Sequence, residues 1–536
     1  MIKVKHPNQL NIFDPWDWLT PKRRQMLEDG WPGLFQNQIL PTLPIHEVAK
    51  FFVASAGRPT KELYAMLGAL VLQQTFDLTD EQAVDQFAFN IQWHFALNIT
   101  EESDCAKYFS PKTLWSNRNI VVQNHLQDEI FKDGAQGLAK VFGVEFERQR
   151  LDSVHIKSNM RRLGRIGIFS ESIHKFLVNI KRSQPEAFSA VDAGVIEQYL
   201  TRNALSCFSR VKPSESRKTL RRVARDLFGL IRQFKGCPEI EAMYSYKLLA
   251  RVLKDQCNLT EDQDNPVEVK LPKEIASDSL QNPSDPDATY SGHKGQGYHV
   301  QIMETFCGDK DSKKNFLNLI THVEVEPAHN SDAHALIPAI ESASKLDLKP
   351  SQLMADSLYG SDENFEQAKA MDVELIAPTM GTTREGELSL CDFQISDKGR
   401  VLACPQGHAP AKIEKKRRHS VGFAAQHCRD CPNASSCPVS KGKKYFYLRF
   451  TDKEMRLAQR RAYEQTNEFK ERYRMRSGAE ATMSEYDRRT GVKHLRVRGI
   501  KAVSFCATLK ALGVNIFRAV AAKAAQIMPE ANLCKA

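Results

Sequence analysis

The chain has 536 residues, with 75 Lys and Arg against 65 Asp and Glu, for a formal net charge of +10. Hydrophobic residues make up 42% and charged residues 26%, so a large core is available. A small stapled scaffold is excluded, and about three or four domains are expected at roughly 150 residues each. No uninterrupted apolar run approaches the roughly 18–20 residues of a membrane-spanning helix, and Met1 to His6 lacks the apolar centre of a signal peptide, which predicts a cytoplasmic protein with no membrane partner.

Residues 1–145 read as a helical unit for DNA binding or dimerisation, broken at Gly57 to Thr60 and at Ser110-Pro111. Ser110 suits an N-cap and Pro111 the first helical position, where a missing N–H costs nothing. Thr79 to Gln82 has the capping-box pattern, with Ala83, Val84, Phe87 and Ala88 following at helical spacing. From Val144 to Ile156 the pattern alternates, predicting a strand that carries Asp152. Residues 170–285 read as a helical, basic insertion ending in the loop Asn282 to Asp287. Strands are expected at Gly297 to Phe306, Leu319 to Val325, Gln352 to Asp356 and Val373 to Ala377. Helices are expected at Asp332 to Lys345 and Asp362 to Ala370, with a turn at Ser357 to Gly360. Interspersed strands and helices indicate an α/β core over 146–380. A cysteine-rich basic insertion follows over 381–450, and a C-terminal helical part over 451–536.

The positive residues gather in runs: Lys157 to Arg165, Arg210 to Arg225, Lys412 to Arg418, Lys441 to Lys444, and Arg456 to Lys501. Any one run reads most plainly as a solvated face. Several together suit a phosphate backbone, where each neutralised phosphate releases counterions.

Asp152 and Asp356 each sit at a strand, and Glu480 lies in a predicted helix. Carboxylates on rigid elements are hard oxygen ligands suited to two divalent ions for in-line displacement at phosphorus. On one helix, Tyr473, Arg476, Glu480 and Asp487 share a stripe. The plain alternative is an Arg476–Glu480 surface ion pair worth about 0.3–0.5 kcal/mol. Gly478 costs roughly 1 kcal/mol inside a helix relative to Ala, which predicts a helix start or bend there.

The segment Tyr473 to Gly499, with its Tyr, two residues, Arg, three residues, Glu pattern, resembles the glutamate region of DDE transposases from bacterial insertion sequences. Leu151 to Lys157 and Met354 to Gly360 resemble the two aspartate segments of that family. Gly297 to Gln301 is similar to the strand between them, and Gly57 to Leu97 to the helical N-terminal domain. The resemblance implies a ribonuclease H-like core in which Asp152, Asp356 and Glu480 are catalytic and bind two Mg²⁺ (or Mn²⁺) ions. It implies a cut-and-paste transposase that binds terminal inverted repeats and joins 3′ ends to target DNA. A homodimer in the bacterial cytoplasm, associated with the nucleoid, is the implied assembly. Tyr473, Arg476, Arg488, Arg489, Lys493, Arg496 and Arg498 are the expected DNA contacts. At 487 the family usually has Lys; here it is Asp, and Arg488 is the expected substitute. The alternatives are a non-catalytic DNA-binding derivative and a metal-dependent nuclease without strand transfer.

Twelve cysteines in a chain of this length predict thiols or metal ligands, not a disulfide framework. Cys404, Cys428, Cys431 and Cys437 suit one structural Zn²⁺, with His408 as a substitute ligand; reduced thiols without metal are the alternative. His155 and His329 are read as neutral structural histidines. No Gly-x-x-x-x-Gly-Lys-Ser/Thr motif occurs, so no nucleotide cofactor is expected.

Overall fold

The computed structural model describes residues 2–7, 14–53, 59–200, 211–262, 264–307, 316–381, 386–396, 398–415 and 417–533. Gly57 and Arg58 of the expected break at Gly57 to Thr60, as well as Arg210 and Lys416 of the basic runs, lie outside the described residues.

Helix α1 (Leu63–Thr75) is buried along its whole length, and the Glu62 side chain caps it by accepting from Tyr64 N and Ala65 N. Helix α2 (Asp80–Phe89) starts at the capping box of Thr79 and Gln82. Helix α3 (Pro111–Gln123) starts at Ser110, whose side chain accepts from Thr113 N. Helix α4 (Leu126–Phe142) stops at Gly143, where φ is +57°. Asp80 ties three of these helices together. It accepts from Arg118 Nη1 at 2.6 Å and Nη2 at 2.7 Å, and from Gln73 Nε2 at 2.8 Å. The hydrogen-bonded Arg118 holds the Asp80 carboxyl below its ordinary 3.8. A carboxyl with a lowered folded pKa stabilises fully above its unfolded pKa and loses that contribution as pH falls through the folded value. Asp80→Ala is expected to cost about 1 kcal/mol at pH 7, since the pair is part-exposed. The difference from the parent should shrink below pH 3.8, checked by denaturant unfolding across that range.

Strand β1 (Arg148–Lys157) opens the core. The insertion follows, with α5 (Arg165–Ser183), α6 (Ser216–Gln233) and α7 (Tyr244–Gln256) enclosing their own apolar cluster from Ile168 to Leu280. The chain then forms β2 (Thr289–Ser291), β3 (Gly295–Thr305), β4 (Ile320–Pro327), α8 (Leu336–Ser344), β5 (Gln352–Met354), α9 (Asp362–Ala370) and β6 (Glu374–Ile376). The sheet order is β2-β3-β1-β5-β6, with β4 on the other side of β3. β3 runs antiparallel to β1, while β5 and β6 join it parallel. Gly297, at φ +155°, lets β3 close on β1; a Cβ there would stand 2.0 Å from Ile156 O.

The cysteine-rich region builds a three-stranded antiparallel sheet of β7 (Lys412–Lys415), β8 (His419–Ala424) and β9 (Tyr445–Phe450) over a small core that includes Phe393, Phe423 and Leu448. Helices α10 (Asp452–Glu464), α11 (Asn467–Tyr473), α12 (Gly478–Thr490) and α13 (Ile500–Leu533) complete the chain. The stripe from Tyr473 to Asp487 is thus not one α-helix: a 3₁₀ turn at Arg474–Ser477 separates α11 from α12. Arg150 Nη1 donates to Met475 O at 3.1 Å, a second contact for a carbonyl that also accepts from Gly478 N at the end of the turn.

Within α13, Ile500–Ala525 is long and apolar enough to cross a membrane by length and composition, an exception to the expectation drawn from uninterrupted runs. In the fold, 72% of that window is buried, and the helix lies against α1, α4 and β4. The expected boundaries near 145 and 451 divide the chain but not the packing: one core joins Leu34 to Val144 with sheet residues such as Val300 and with Val503 to Ala522.

Candidate active site

Asp152 and Asp356 come together through strand register. Arg150 pairs with Met354 across the parallel β1–β5 contact, so two residues further along Asp356 stands level with Asp152. Asp356 lies just beyond β5, in a turn where Leu358 N donates to its Oδ1 at 2.8 Å. Ser153 N donates to Asp152 Oδ1 at 2.9 Å. Glu480 enters from the first turn of α12 and is 74% exposed, against 12% for Asp152 and 27% for Asp356.

All three carboxylates meet one cation. Arg476 Nη2 lies 3.0 Å from Asp152 Oδ2 and 3.8 Å from Asp356 Oδ2, and Nη1 lies 3.5 Å from Glu480 Oε1. The Arg476–Glu480 pair of the plain reading therefore exists, as one side of a three-way cluster. Burial pushes the Asp152 carboxyl above its usual range, and Arg476 pulls the other way. Among the described residues no group of three or more His, Cys, Asp or Glu side chains is spaced to hold a metal ion. Carboxylates arranged around a guanidinium at these distances are wider apart than the roughly 2.0–2.1 Å Mg–O shell requires. The donor set fits hard divalent ions in kind.

Behind the acids lies a buried hydrogen-bond network that sequence reading missed. Tyr359 donates to Gln301 Oε1 at 2.5 Å, and Gln301 Nε2 donates to Asp332 Oδ1 at 2.9 Å. Ser153 Oγ donates to Asp332 Oδ2 at 3.2 Å, linking this network to β1 beside Asp152. The alternation along β3 puts Gln301 in the sheet, but nothing local names its partners. Burial pushes the His155 imidazole down to about 4, leaving it neutral near pH 7. His329 Nδ1 lies 3.0 Å from Thr289 Oγ1.

The expected DNA contacts are distributed unevenly. Tyr473 is half-buried and stacks on Phe469 with ring centroids 5.4 Å apart. Arg489 pairs with Glu485, Lys493 with Asp487, and Arg496 with Asp77 of the N-terminal helices. Arg498 Nε donates to Asn159 Oδ1 at 3.2 Å, and Arg488 is exposed. Asp487, where the family usually has Lys, also accepts from Lys493 N at 3.2 Å and so shapes the end of α12.

Cys404, Cys428, Cys431 and Cys437 are neighbours beside the three-stranded sheet. Burial and the three other thiols push the Cys428 thiol up. Gly407 N donates to Cys404 O at 2.8 Å and Cys404 N to His408 O at 2.9 Å, a tight turn around the first cysteine. His408 stacks on His427 at 4.2 Å.

Residues 403–520 match the family model described as a transposase DDE domain, and residues 32–119 match the one described as a transposase domain (DUF772). These two matches support a DDE transposase. Glu480 lies inside the first match, while Asp152 and Asp356 lie outside both. The mixed sheet is the ribonuclease H-like core that this transposase domain implies. DNA is the substrate class of transposases, and DDE enzymes generally use divalent metal ions. Comparison with curated proteins and with solved structures gives no match.

Proposed function

We propose that this transposase cuts the ends of its own element at Asp152, Asp356 and Glu480 and joins the freed 3′ ends to target DNA, by a cut-and-paste route. The observation that supports this reading is the gathering of three acids from β1, the turn after β5, and α12 around the single guanidinium of Arg476. The three carboxylates would hold two Mg²⁺ or Mn²⁺ ions, which when bound activate the attacking oxygen and stabilise the leaving one. Arg476 keeps the carboxylates gathered and turns its fork to a DNA phosphate, which it can grip bidentately. Tyr473, fixed by its stacking on Phe469, borders the same phosphate. Two ends processed together call for a homodimer acting in the bacterial cytoplasm.

The DNA is held by basic surfaces outside the site. On α6, Arg217, Lys218, Arg221, Arg222 and Arg225 are all exposed and fall on one face, opposite the buried Val223, Ala224, Leu227 and Leu230. Arg488 and Arg498 add to the surface around α12. Replacing Arg217, Lys218, Arg221 and Arg222 by Gln is expected to weaken binding of any duplex. The slope of log affinity against log salt should fall by roughly 0.9 per lost phosphate contact. An unchanged slope in a salt titration would remove α6 from the interface.

The deciding experiment incubates the protein with DNA carrying the ends that flank its gene, with Mg²⁺ or Mn²⁺, and analyses the products. Joined products establish cut-and-paste transposition. Cut but unjoined strands point to a nuclease, and binding without cutting to a DNA-binding derivative.

A further inference from the structure

The helix that carries Glu480 is held from behind by a buried ionic cluster. Glu304 on β3 is 2% exposed and accepts from Arg150 Nε at 2.6 Å and from Arg518 Nη1 at 2.7 Å. Arg150 and Glu304 are direct cross-strand partners in the β1–β3 ladder. Thr482, on the buried face of α12, has its hydroxyl 2.7 Å from both Glu304 oxygens. Arg518 of α13 donates to Thr482 Oγ1 at 2.8 Å and pairs with Glu485 at 2.9 Å. Two arginines thus face two carboxylates, and every member touches α12 or the strand beneath it.

Arg150 has a second grip. Its guanidinium packs on Gly478, the first residue of α12, so closely that a Cβ there would stand 1.9 Å from Nη1. Arg150 lies two positions before Asp152 and so projects from the same face of the strand. The same side chain therefore ties the strand bearing Asp152 to the helix bearing Glu480. That spacing matters because ligands for two ions must be held to within fractions of an ångström.

We propose that Arg150, Glu304 and Arg518 are positioning residues that set the approach of Glu480 to Asp152 and Asp356, an inference that rests on the catalytic reading above. None of the three is assigned a contact with DNA or with the reacting atoms. They act through the placement of α12.

Three full-length variants test this: Glu304→Gln, which keeps the shape but removes the charge; Gly478→Ala, which pushes against Arg150; and Gly478→Ala combined with Arg150→Ala, which restores the space. Backbone hydrogen exchange over 478–490 reads the helix directly, without metal or DNA. Mn²⁺ titration of cleavage, together with calorimetric Mn²⁺ binding, reads the site. Exchange over α12 is expected to rise in the first two variants while the exchange of α1 stays unchanged. Their half-saturating Mn²⁺ concentration should rise about 10–100-fold, the usual cost of losing a partner behind metal ligands. The double variant restores the space but not the grip of Arg150, so its Mn²⁺ dependence should stay raised; full recovery of the parent's behaviour overturns the role given to Arg150. If Glu304→Gln does not fold, the other two carry the test. Unchanged exchange overturns the proposal, and so does increased exchange with unchanged Mn²⁺ dependence, which would make the cluster purely structural. A parent chain that neither binds Mn²⁺ nor cuts DNA overturns the catalytic reading itself, and the positioning role falls with it.

Discussion

Asp356→Ala is expected to bind end-containing DNA as the parent does and to cut it more slowly by a factor on the order of 10³. The carboxylate sits in a turn fixed by Leu358 N and faces Arg476, and as an acid it supplies no phosphate contact whose loss would weaken binding. Its removal leaves Asp152 and Glu480 with the guanidinium but takes away one wall of the proposed ion site. Binding by gel shift and cleavage by strand analysis separate the two effects. Cleavage within tenfold of the parent would remove Asp356 from the site. Loss of binding as well would mean that the acids and the basic surfaces are not separate devices.

Cys431→Ser is expected to abolish stoichiometric zinc in the purified chain and to loosen the sheet of β7, β8 and β9. The cluster beside that sheet is small, so a metal would supply much of its cohesion. Structural zinc sites are worth about 10–16 kcal/mol, or roughly 3 kcal/mol per thiolate when shared over four ligands. Burial and then the neighbouring thiols push the protonation of Cys428 and Cys437 upward, and a bound cation would relieve that crowding. Metal analysis and limited proteolysis of the region around 404–437 give the readout. Parent protein prepared with care and free of zinc would sink the assignment and leave four reduced thiols.

Much of the architecture was legible because it is local. The capping box at Thr79, the Ser110-Pro111 start and the helix Asp362–Ala370 stand where short-range patterns put them. The strand Arg148–Lys157 starts four residues later than the alternation suggested at Val144, because the first residues serve the exit from α4. What was illegible is long-range pairing. Glu304 finds Arg150 and Arg518 at separations of 154 and 214 positions, and no periodicity encodes such a meeting. At the site, the spacing of Tyr473, Arg476 and Glu480 pointed to a phosphate contact. The fold gives Arg476 a further task, as the shared counter-ion of three acids. The break between α11 and α12 was foreshadowed by Gly478, but the guanidinium that packs against it comes from β1, more than 300 residues away.

The burial of α13 against α1 and α4 bears on how the molecule comes into being. Leu70 and Leu72 near the start of the chain share their core with Leu509 and Leu512 near its end. A growing polypeptide emerging from the ribosome therefore carries its N-terminal helices with an open apolar face until α13 is translated. Closing so distant a contact is slow compared with local helix formation. Fragments that stop short of α13 lack the helix that seals the core.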